Sequence, residues 1–433
     1  MNINKIVLRN VQRRKLSSTL TALSVALGVA LYIAIGTLRE ASEKGFQRTA
    51  AICDTIVGAK GDGLQLSLNT LYHMGLSAGN ISLASFQEIN NLDGVAWSIP
   101  VALGDSYRGH RIVGVSSEFF ERVMVGENQN LDFAQGEAFK HTTPEFVDAH
   151  HELFSGGDHS HDHHQLHNNV FKAVLGADVA RSLNLSVGDV IVPSHGVESA
   201  TEQHGDAKSE VVGVLLATGT PIDRAIYIPI LAYYLMEGHG VEDGPEFVGA
   251  RDARGLSAIM MSTKAGFYRQ QIFRTVNNRL DAMAIFPSVE MRKLFDIIGS
   301  GDLILRTISL MVVVVALIGI LVSIYNTMGS RRKEFAVLRA MGASRKAVLR
   351  IVSLESAAIA GGGAVLGLVF AALTIGVLSS QIHAFSGVSL NISAGVPELF
   401  IFIGVTVAGA IAGLVPALEA YRTDAATQLS SNA

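Results

Sequence analysis

The chain has 433 residues, of which 49% are hydrophobic and 17% charged, and its formal net charge is -4. The hydrophobic content is high for a soluble protein and predicts a membrane protein with a sizeable polar part, while the net charge excludes the basic field of a nucleic-acid-binding protein. A single cysteine, Cys53, excludes an intramolecular disulfide framework and a cysteine-based zinc site.

The first apolar segment predicts a membrane-spanning helix that is retained in the chain. It covers 19–38, which is longer than the apolar region of a cleaved signal peptide, and charged residues follow it directly. Basic residues mark the cytoplasmic side of a span. We therefore predict a cytoplasmic N-terminus over 1–18, because five basic residues precede the span: Lys5, Arg9, Arg13, Arg14 and Lys15.

The region 39–303 contains no segment that is apolar for long enough to cross a bilayer. Its first part, 39–51, is polar and compatible with a helix, and predicts a stalk that continues the first span. Farther along, β-forming residues cluster between glycine and aspartate, as in 95–101 and 111–115, and short helix-like stretches separate them. We predict one large α+β periplasmic domain, inserted between the first and second spans of an α-helical membrane protein.

A histidine-rich loop over 141–167 is the most unusual stretch of this region. It holds eight of the fourteen histidines, interleaved with aspartate and glutamate. Neutral imidazole binds Zn²⁺ and related ions, so the loop predicts loose metal binding; the alternative is a solvated insertion without a ligand. No metal is required by the rest of the sequence. The candidate zinc ligands are His150, His151, His159, His161, His163, His164 and His167.

Three further apolar spans and the basic segment after the second one complete the predicted topology. The segment after the second span holds seven Lys or Arg between Arg331 and Arg350, together with apolar residues, which is typical of an amphipathic surface helix. The loop after the third span contains no Lys or Arg. Both termini are therefore predicted to be cytoplasmic. The predicted boundaries are 304–328 for the second span, 329–355 for the amphipathic helix, 356–378 and 399–418 for the third and fourth spans, 379–398 for the periplasmic loop and 419–433 for the tail.

Small residues recur four apart in the last two spans. Gly363 and Gly367 share one helix face, and so do Gly409 and Gly413. Small residues at this spacing let helix backbones approach closely. We expect them to pack helices within one subunit, although one of the two faces could form a subunit interface instead.

Motifs for catalysis and nucleotide binding are absent from the sequence. It contains no G-x-x-x-x-G-K-[ST] phosphate loop, no G-x-S-x-G elbow and no H-E-x-x-H pair. No catalytic residues are predicted. If the protein uses ATP, the ATPase must be a separate chain.

The chain resembles the permease subunits of the FtsX/MacB/LolC group of ABC transporters. The resemblance lies in the order of an apolar span, the motif R-R-K-E-F-A-V-L-R-A-M-G-A over 331–343, and a further apolar span. Three segments, 174–180, 185–191 and 211–229, resemble the MacB-like periplasmic core domain. The stretch P-A-L-E-A-Y-R over 416–422 resembles the C-terminal end of the family's sequences. The resemblance implies two subdomains, of which the second is inserted at about 116–208.

This resemblance implies a function and a docking site. The protein would be a multi-pass permease of the bacterial inner membrane, a homodimer that binds a separate ABC ATPase through a coupling helix and works with a periplasmic partner protein. ATP hydrolysis would drive export or extraction by mechanotransmission, with a link to zinc or other metal homeostasis. The implied coupling residues are Arg331, Arg332, Lys333, Glu334, Phe335, Val337, Leu338, Arg339, Met341, Gly342 and Ala343.

Other interpretations of the same features stay open. The basic helix could lie on anionic lipid without binding an ATPase. The whole protein could be an FtsX-like transmembrane signal transducer that regulates a periplasmic hydrolase and moves no cargo. A membrane-anchored metalloenzyme would need a preformed metal site, and the sequence contains no rigidly spaced ligand triad.

Overall fold

The computed structural model describes residues 3–13, 15–126, 129–154, 170–195, 207–236, 255–386 and 395–422. The chain divides into two compact units. The first, here called the membrane unit, comprises 1–41, 298–381 and 391–433. The second, the domain unit, comprises 42–297 and 382–390.

Helices and strands alternate through the domain unit, whereas the described part of the membrane unit is helical. The helices are α1 (Ile3–Arg13), α2 (Lys15–Ala50), α3 (Gly63–Tyr72), α4 (Leu83–Asn90), α5 (Glu118–Arg122), α6 (Thr143–Phe154), α7 (Ala177–Leu183), α8 (Ile230–Leu235), α9 (Gly266–Asn277), α10 (Pro287–Ala340), α11 (Arg345–Ser386) and α12 (Val396–Arg422). The strands are β1 (Thr55–Ala59), β2 (Val95–Tyr107), β3 (His110–Val115), β4 (Met124–Val125), β5 (Gln129–Asn130), β6 (Phe133–Gly136), β7 (Lys172–Leu175), β8 (Val190–Ile191), β9 (Ser194–His195), β10 (Ser209–Leu215), β11 (Ile226–Pro229), β12 (Ala258–Thr263) and β13 (Ala282–Ile285).

Four helices within the described ranges are long and apolar enough to cross a membrane: α2, α10, α11 and α12. They contain the four predicted spans, and each extends beyond the predicted limits. Helix α2 continues to Ala50, so the stretch that was predicted to form a stalk is helical up to that residue. Helix α10 has 54 residues and begins well before the predicted start of the second span. An α-helix satisfies its own backbone hydrogen bonds in lipid and in water, so the end of the apolar run does not end the helix.

Helix α11 packs closely against its two neighbours in the membrane unit through small residues. A methyl group added at Gly363 would lie 2.6 Å from the carbonyl oxygen of Ala22 on α2, and one at Gly367 would lie 2.8 Å from that of Ala26. On another side of α11, Gly409 and Gly413 of α12 leave similarly little room. The glycine pairs therefore pack helices within the subunit, as the sequence analysis expected.

An eleven-stranded mixed sheet forms the centre of the domain unit's described residues, with the strand order β13-β1-β12-β2-β3-β11-β7-β10-β6 and with β8 and β9 at its sides. The long strand β2 pairs with β12 along its first half and with β3 along its second half, both antiparallel. Strand β11 lies parallel to β3 and antiparallel to β7. This mixed sheet with its helices confirms the predicted α+β character of the domain.

Both faces of the sheet are buried at its central strands, where two hydrophobic core clusters lie on opposite sides. Ile112 belongs to the core on one face and Val113 to the core on the other, and Ile226 and Tyr227 alternate in the same way. All four side chains are at most 2% exposed. A strand that is buried on both faces has a continuous apolar sequence, which explains why these segments showed little polar alternation.

Within the proposed inserted subdomain, 116–208, the described strands form one small sheet of their own, β4-β5, and the others belong to the eleven-stranded sheet. Its strand β7 pairs with β10 in parallel and with β11 in antiparallel orientation, and both partners lie outside that range. A strand leaves backbone donors and acceptors unpaired at a free edge, and here residues from the following segment satisfy them. The limits of 116–208 therefore stay a prediction, and they do not coincide with a division of the sheet, because β7 lies within them while its two partners lie outside.

The close packing of α11 generates a first prediction. Gly363→Ala should lower the free energy of unfolding by about 1–3 kcal/mol, because the added methyl group forces α2 and α11 apart. Its neighbour Gly362 has open space where a side chain would begin. Gly362→Ala should leave the stability unchanged or raise it by up to about 1 kcal/mol, since alanine favours helix more than glycine does. Thermal unfolding of the two purified variants in the same detergent measures the difference, and equal midpoints would contradict this packing.

Candidate functional site

The predicted coupling segment is built from the end of one helix, a turn and the start of the next. Helix α10 continues through 329–340, and α11 begins at Arg345. The separate surface helix expected over 329–355 is therefore not present: the segment is divided between two membrane-unit helices. The residues 331–340 are mostly strong helix formers, so the second span extends until a residue stops it.

Gly342 and Ser344 form the turn. Gly342 has φ +95°, a left-handed conformation that favours glycine at a helix C-terminus, and the Met341 N–H donates to the Val337 carbonyl at 3.0 Å. The Ser344 hydroxyl then accepts a hydrogen bond from the Ala347 N–H at 3.2 Å and caps α11. The sequence M-G-A-S thus fixes a tight connection between the two helices.

Two apolar side chains of this segment are exposed in the membrane unit. Val337 is 51% exposed and Met341 is 70% exposed. Exposed apolar side chains beside a tight turn can be covered by a partner surface. Only the backbone is described at the other helical positions of the predicted site, whose side chains lie outside the described part: Arg331, Arg332, Lys333, Glu334, Phe335, Leu338 and Arg339.

A buried carboxylate lies near the start of α11 and was missed by the sequence analysis. Glu355 is only 1% exposed, and its Oε2 accepts a hydrogen bond from Asn10 Nδ2 of α1 at 3.4 Å. The signal that could have found it is the apolar helical pattern on both sides, Val348, Ile351 and Val352 before it and Ile359 after it. The contact fastens the short N-terminal helix α1 to α11.

An ionic cluster joins α2 to α10 in the membrane unit. Asp302 is 7% exposed, and its carboxylate lies 2.6 Å from Arg39 Nη1 and 3.0 Å from Arg306 Nε. Two guanidinium groups thus compensate one buried carboxylate, which satisfies the requirement that a buried charge be paired. Arg39 follows the first apolar run and Asp302 precedes the second, so the cluster fixes the register of the two helices where the apolar runs end.

Of the candidate zinc ligands, His150 has a described side chain. It lies on α6, and its ring packs edge-on against Phe146 and against Tyr234 of α8, with centroid distances of 5.8 and 5.9 Å. His151 follows on the same helix with only its backbone described. His159, His161, His163, His164 and His167 lie outside the described residues. The described residues bring together no group of three histidine, cysteine, aspartate or glutamate side chains that could hold a metal ion.

Burial strongly changes the pKa of several titratable side chains of the domain unit, among them Cys53 and His73. Burial, with a smaller effect from the Asp54 charge, raises the pKa of the Cys53 thiol, and the side chain is 3% exposed. Burial, followed by the charges of Arg111 and Arg224, lowers the pKa of His73 to about 3. Near neutral pH the first is an uncharged thiol and the second a neutral imidazole. Cys53 therefore has the role of a small buried core residue.

Comparison with known families matches most of the chain. The family model described as "FtsX-like permease C-terminal" matches residues 306–425, which contain most of α10, all of α11 and α12, and the turn at Gly342. The model described as "MacB-like periplasmic core domain" matches residues 18–273, which contain most of the domain unit and α2. No curated protein matches the chain.

Two solved structures are similar in part. The periplasmic region of MacB from Actinobacillus actinomycetemcomitans is 11% identical with a TM-score of 0.32, and the match covers 56% of this chain and 92% of that one. The extracellular domain of the noncanonic ABC-type transporter YknZ from Gram-positive bacteria is 14% identical with a TM-score of 0.30, and the match covers 53% of this chain and 99% of that one.

The family assignment rests on the two family models. One of them alone covers more than half of the 433 residues, and the second covers the helices that follow. Members of this family are transmembrane subunits that work with an ABC ATPase and are not themselves the ATPase. The chain therefore belongs to the FtsX/MacB/LolC-type family of ABC transporter permeases, with an FtsX-like C-terminal region and a MacB-like periplasmic core domain.

Proposed function

We propose that this permease transmits the movement of a separate ATPase to its periplasmic domain, and that the movement exports or extracts a periplasmic or membrane substrate. The observation that carries the proposal is the uninterrupted course of α10 from Pro287 to Ala340. Its 54 residues extend about 80 Å at 1.5 Å per residue. The proposed docking segment lies at one end of this helix, and β13 of the domain directly precedes the other end.

The contacts of the membrane unit support movement of whole helices rather than passage of a polar substrate among them. The Asp302 cluster joins α2 to α10, so a displacement of one helix is shared with the other. The buried Glu355 is already bound by Asn10. These charges hold helices together, and the proposed mechanism is therefore mechanotransmission.

The proposed arrangement in the cell follows from the basic residues and the family. Both termini and the turn at Gly342 are placed in the cytoplasm of a bacterium, with the domain unit in the periplasm and the four spans in the inner membrane. Two copies would act together with two ATPase subunits and with a periplasmic partner. Exposed Val337 and Met341 would contribute to the surface that the ATPase covers.

Zinc binding by the histidine-rich loop is a further part of the proposal. It is supported by the density of histidine and acidic residues over 141–167. Glycine loses more backbone entropy than other residues when a chain is fixed, which opposes tight binding by a sequence that contains glycine. Such a loop would sense or collect metal at the periplasmic side and would not form a catalytic centre.

Docking of the ATPase can be tested by placing a charge in the coupling segment. Leu338→Asp should weaken ATPase association about thirtyfold or more, the effect of about 2 kcal/mol, because a carboxylate in an apolar contact stays unpaired. Co-purification of the ATPase from native membranes measures this. Leu280→Asp is the matched control, since Leu280 is 96% exposed in the domain unit. Equal ATPase recovery with both variants would show that the segment does not dock the ATPase.

The orientation in the membrane can be tested with single cysteines in a Cys53→Ser background. Leu280→Cys should react with an impermeant maleimide on intact spheroplasts, because its exposed side chain is placed in the periplasm. Ser344→Cys should react only after the membrane is opened, because the turn is placed in the cytoplasm. The reversed labelling pattern would contradict the orientation.

Metal binding by the loop can be tested by calorimetry on the purified full-length protein. We expect Zn²⁺ to bind at more than one site with roughly micromolar affinity or weaker, and to be released by about pH 5, because histidines with an ordinary pKa of ~6.5 are then protonated. Replacement of His159, His161, His163, His164 and His167 by serine should remove most of this binding and leave the metal-free thermal midpoint unchanged. Equal zinc uptake by both proteins would mean that the loop carries no ligands.

A further inference from the structure

A partly open apolar groove of about 520 Å³ lies between α2, α11 and α12 in the membrane unit. Its volume falls within the roughly 300–1,000 Å³ of sites that hold small ligands. Ile33 of α2, Leu368 of α11 and Phe402 of α12 contribute to its apolar walls. Thr37 and Glu398 provide the polar groups of the lining.

The small-residue contacts explain why a groove opens at this place. Gly367 lies against Val29 and the Ala26 carbonyl oxygen of α2, which keeps the two helices close there. One turn farther along α2, Ile33 already lines the groove. Helix α12 likewise touches α11 through Gly409 and Gly413, and it lines the groove near its opposite end, from Glu398 to Phe402. The three helices therefore separate beyond their glycine contacts.

The apolar walls of this groove favour occupancy by hydrocarbon. Protein interiors contain few voids larger than a water molecule, and an empty apolar groove would lose the dispersion contacts of its walls. The groove lies in the part of α2 that just precedes Arg39 and at the first turn of α12, among helices apolar enough to span a bilayer. Membrane lipid is the apolar material available at that position.

Glu398 determines which lipid fits. It is the third residue of α12 and half-buried, and its Oε2 accepts a hydrogen bond from the Gly395 N–H at 2.8 Å. No described lysine, arginine or histidine forms an ion pair with it. A carboxylate beside an apolar groove is stabilised by a cationic hydrogen-bond donor and opposes an anionic group.

We propose that the groove binds one aminophospholipid, with an acyl chain between α2, α11 and α12 and the primary ammonium of the headgroup beside the Glu398 carboxylate. The site is contained in a single subunit. Under the proposed orientation it faces the outer leaflet. A bound lipid of this kind fills the space between the first span and the last two.

Lipid retention by the full-length protein tests this without the ATPase. The protein is purified in mild detergent, supplied with equal amounts of phosphatidylethanolamine and phosphatidylglycerol, and bound lipid is measured by native mass spectrometry. The wild-type protein should prefer phosphatidylethanolamine about tenfold, the effect expected for a hydrogen bond to a charged group. Glu398→Gln, which can still accept the Gly395 N–H, should lose the preference.

A filling variant and its control separate the groove from the general lipid-facing surface. Ala372→Phe places a ring in the groove and should remove the tightly bound lipid, whereas Leu373→Phe, at a lipid-facing side chain 63% exposed, should not. An unchanged preference in Glu398→Gln, or equal retention by both phenylalanine variants, would overturn the proposal. A changed subunit count in Ala372→Phe alone would also overturn it, because a second copy would then fill the groove. ATPase binding in the Leu338→Asp experiment is independent of each outcome.

Discussion

The close approach of α11 to α2 and α12 is the constraint on which the membrane unit depends. Lipid offers no hydrophobic gain when two apolar helices meet, so the association depends on backbone proximity and on the contacts that small residues permit. Gly363 and Gly367 allow this proximity on one side of α11, and Gly409 and Gly413 of α12 allow it on another. Helix α11 also carries Glu355, which binds the N-terminal helix α1. Helix α11 thus positions three other helices, α1, α2 and α12.

In the proposed mechanism, α2 and α10 carry movement from the proposed docking segment to the domain. Each of these helices continues without a break from an apolar span into polar sequence. The Asp302 carboxylate binds both helices at the point where their apolar runs end, because Arg39 approaches it from α2 and Arg306 from α10. A buried charge with two partners resists relative sliding more than apolar contacts do, since sliding would leave it unpaired. This resistance to sliding is what the proposed mechanotransmission requires of the two helices.

The sequence predicted the spans, the stalk and the α+β domain because each has a local signal. Apolar runs, the basic residues around Arg331, and β-forming clusters near Val95 and Arg111 can all be seen in short windows. The limits of helices could not be predicted in this way. A change from apolar to basic residues at Met328 marks a change of surroundings, while the backbone stays helical until Gly342 provides a stop. For this reason the structure has no separate helix over 329–355, and the segment is divided between α10 and α11.

Features that depend on distant parts of the chain could not be predicted from the sequence either. Strand β7 completes a sheet with strands after residue 208, so the limits of the insert depend on pairing that no local pattern shows. Glu355 binds Asn10, which is 345 residues away in the sequence, and Asp302 binds Arg39, which is 263 residues away. The groove beside Glu398 arises where three helices diverge, and none of them indicates it alone. The proposed docking residues, in contrast, form one contiguous motif, 331–343, which can be recognised in the sequence.

The central claim is that nucleotide-driven movement reaches the domain through the continuous helices. Spin labels at Leu280→Cys in both copies of the reconstituted complex, in a Cys53→Ser background, report the separation of the two domains by double electron–electron resonance. The account predicts that ATP with vanadate changes the distance distribution. It also predicts that a Gly-Gly-Ser insertion between Ile297 and Ile298, which interrupts α10, removes the change while the ATPase stays bound and active. The same distribution with and without nucleotide, or a response that survives the interruption, would contradict it.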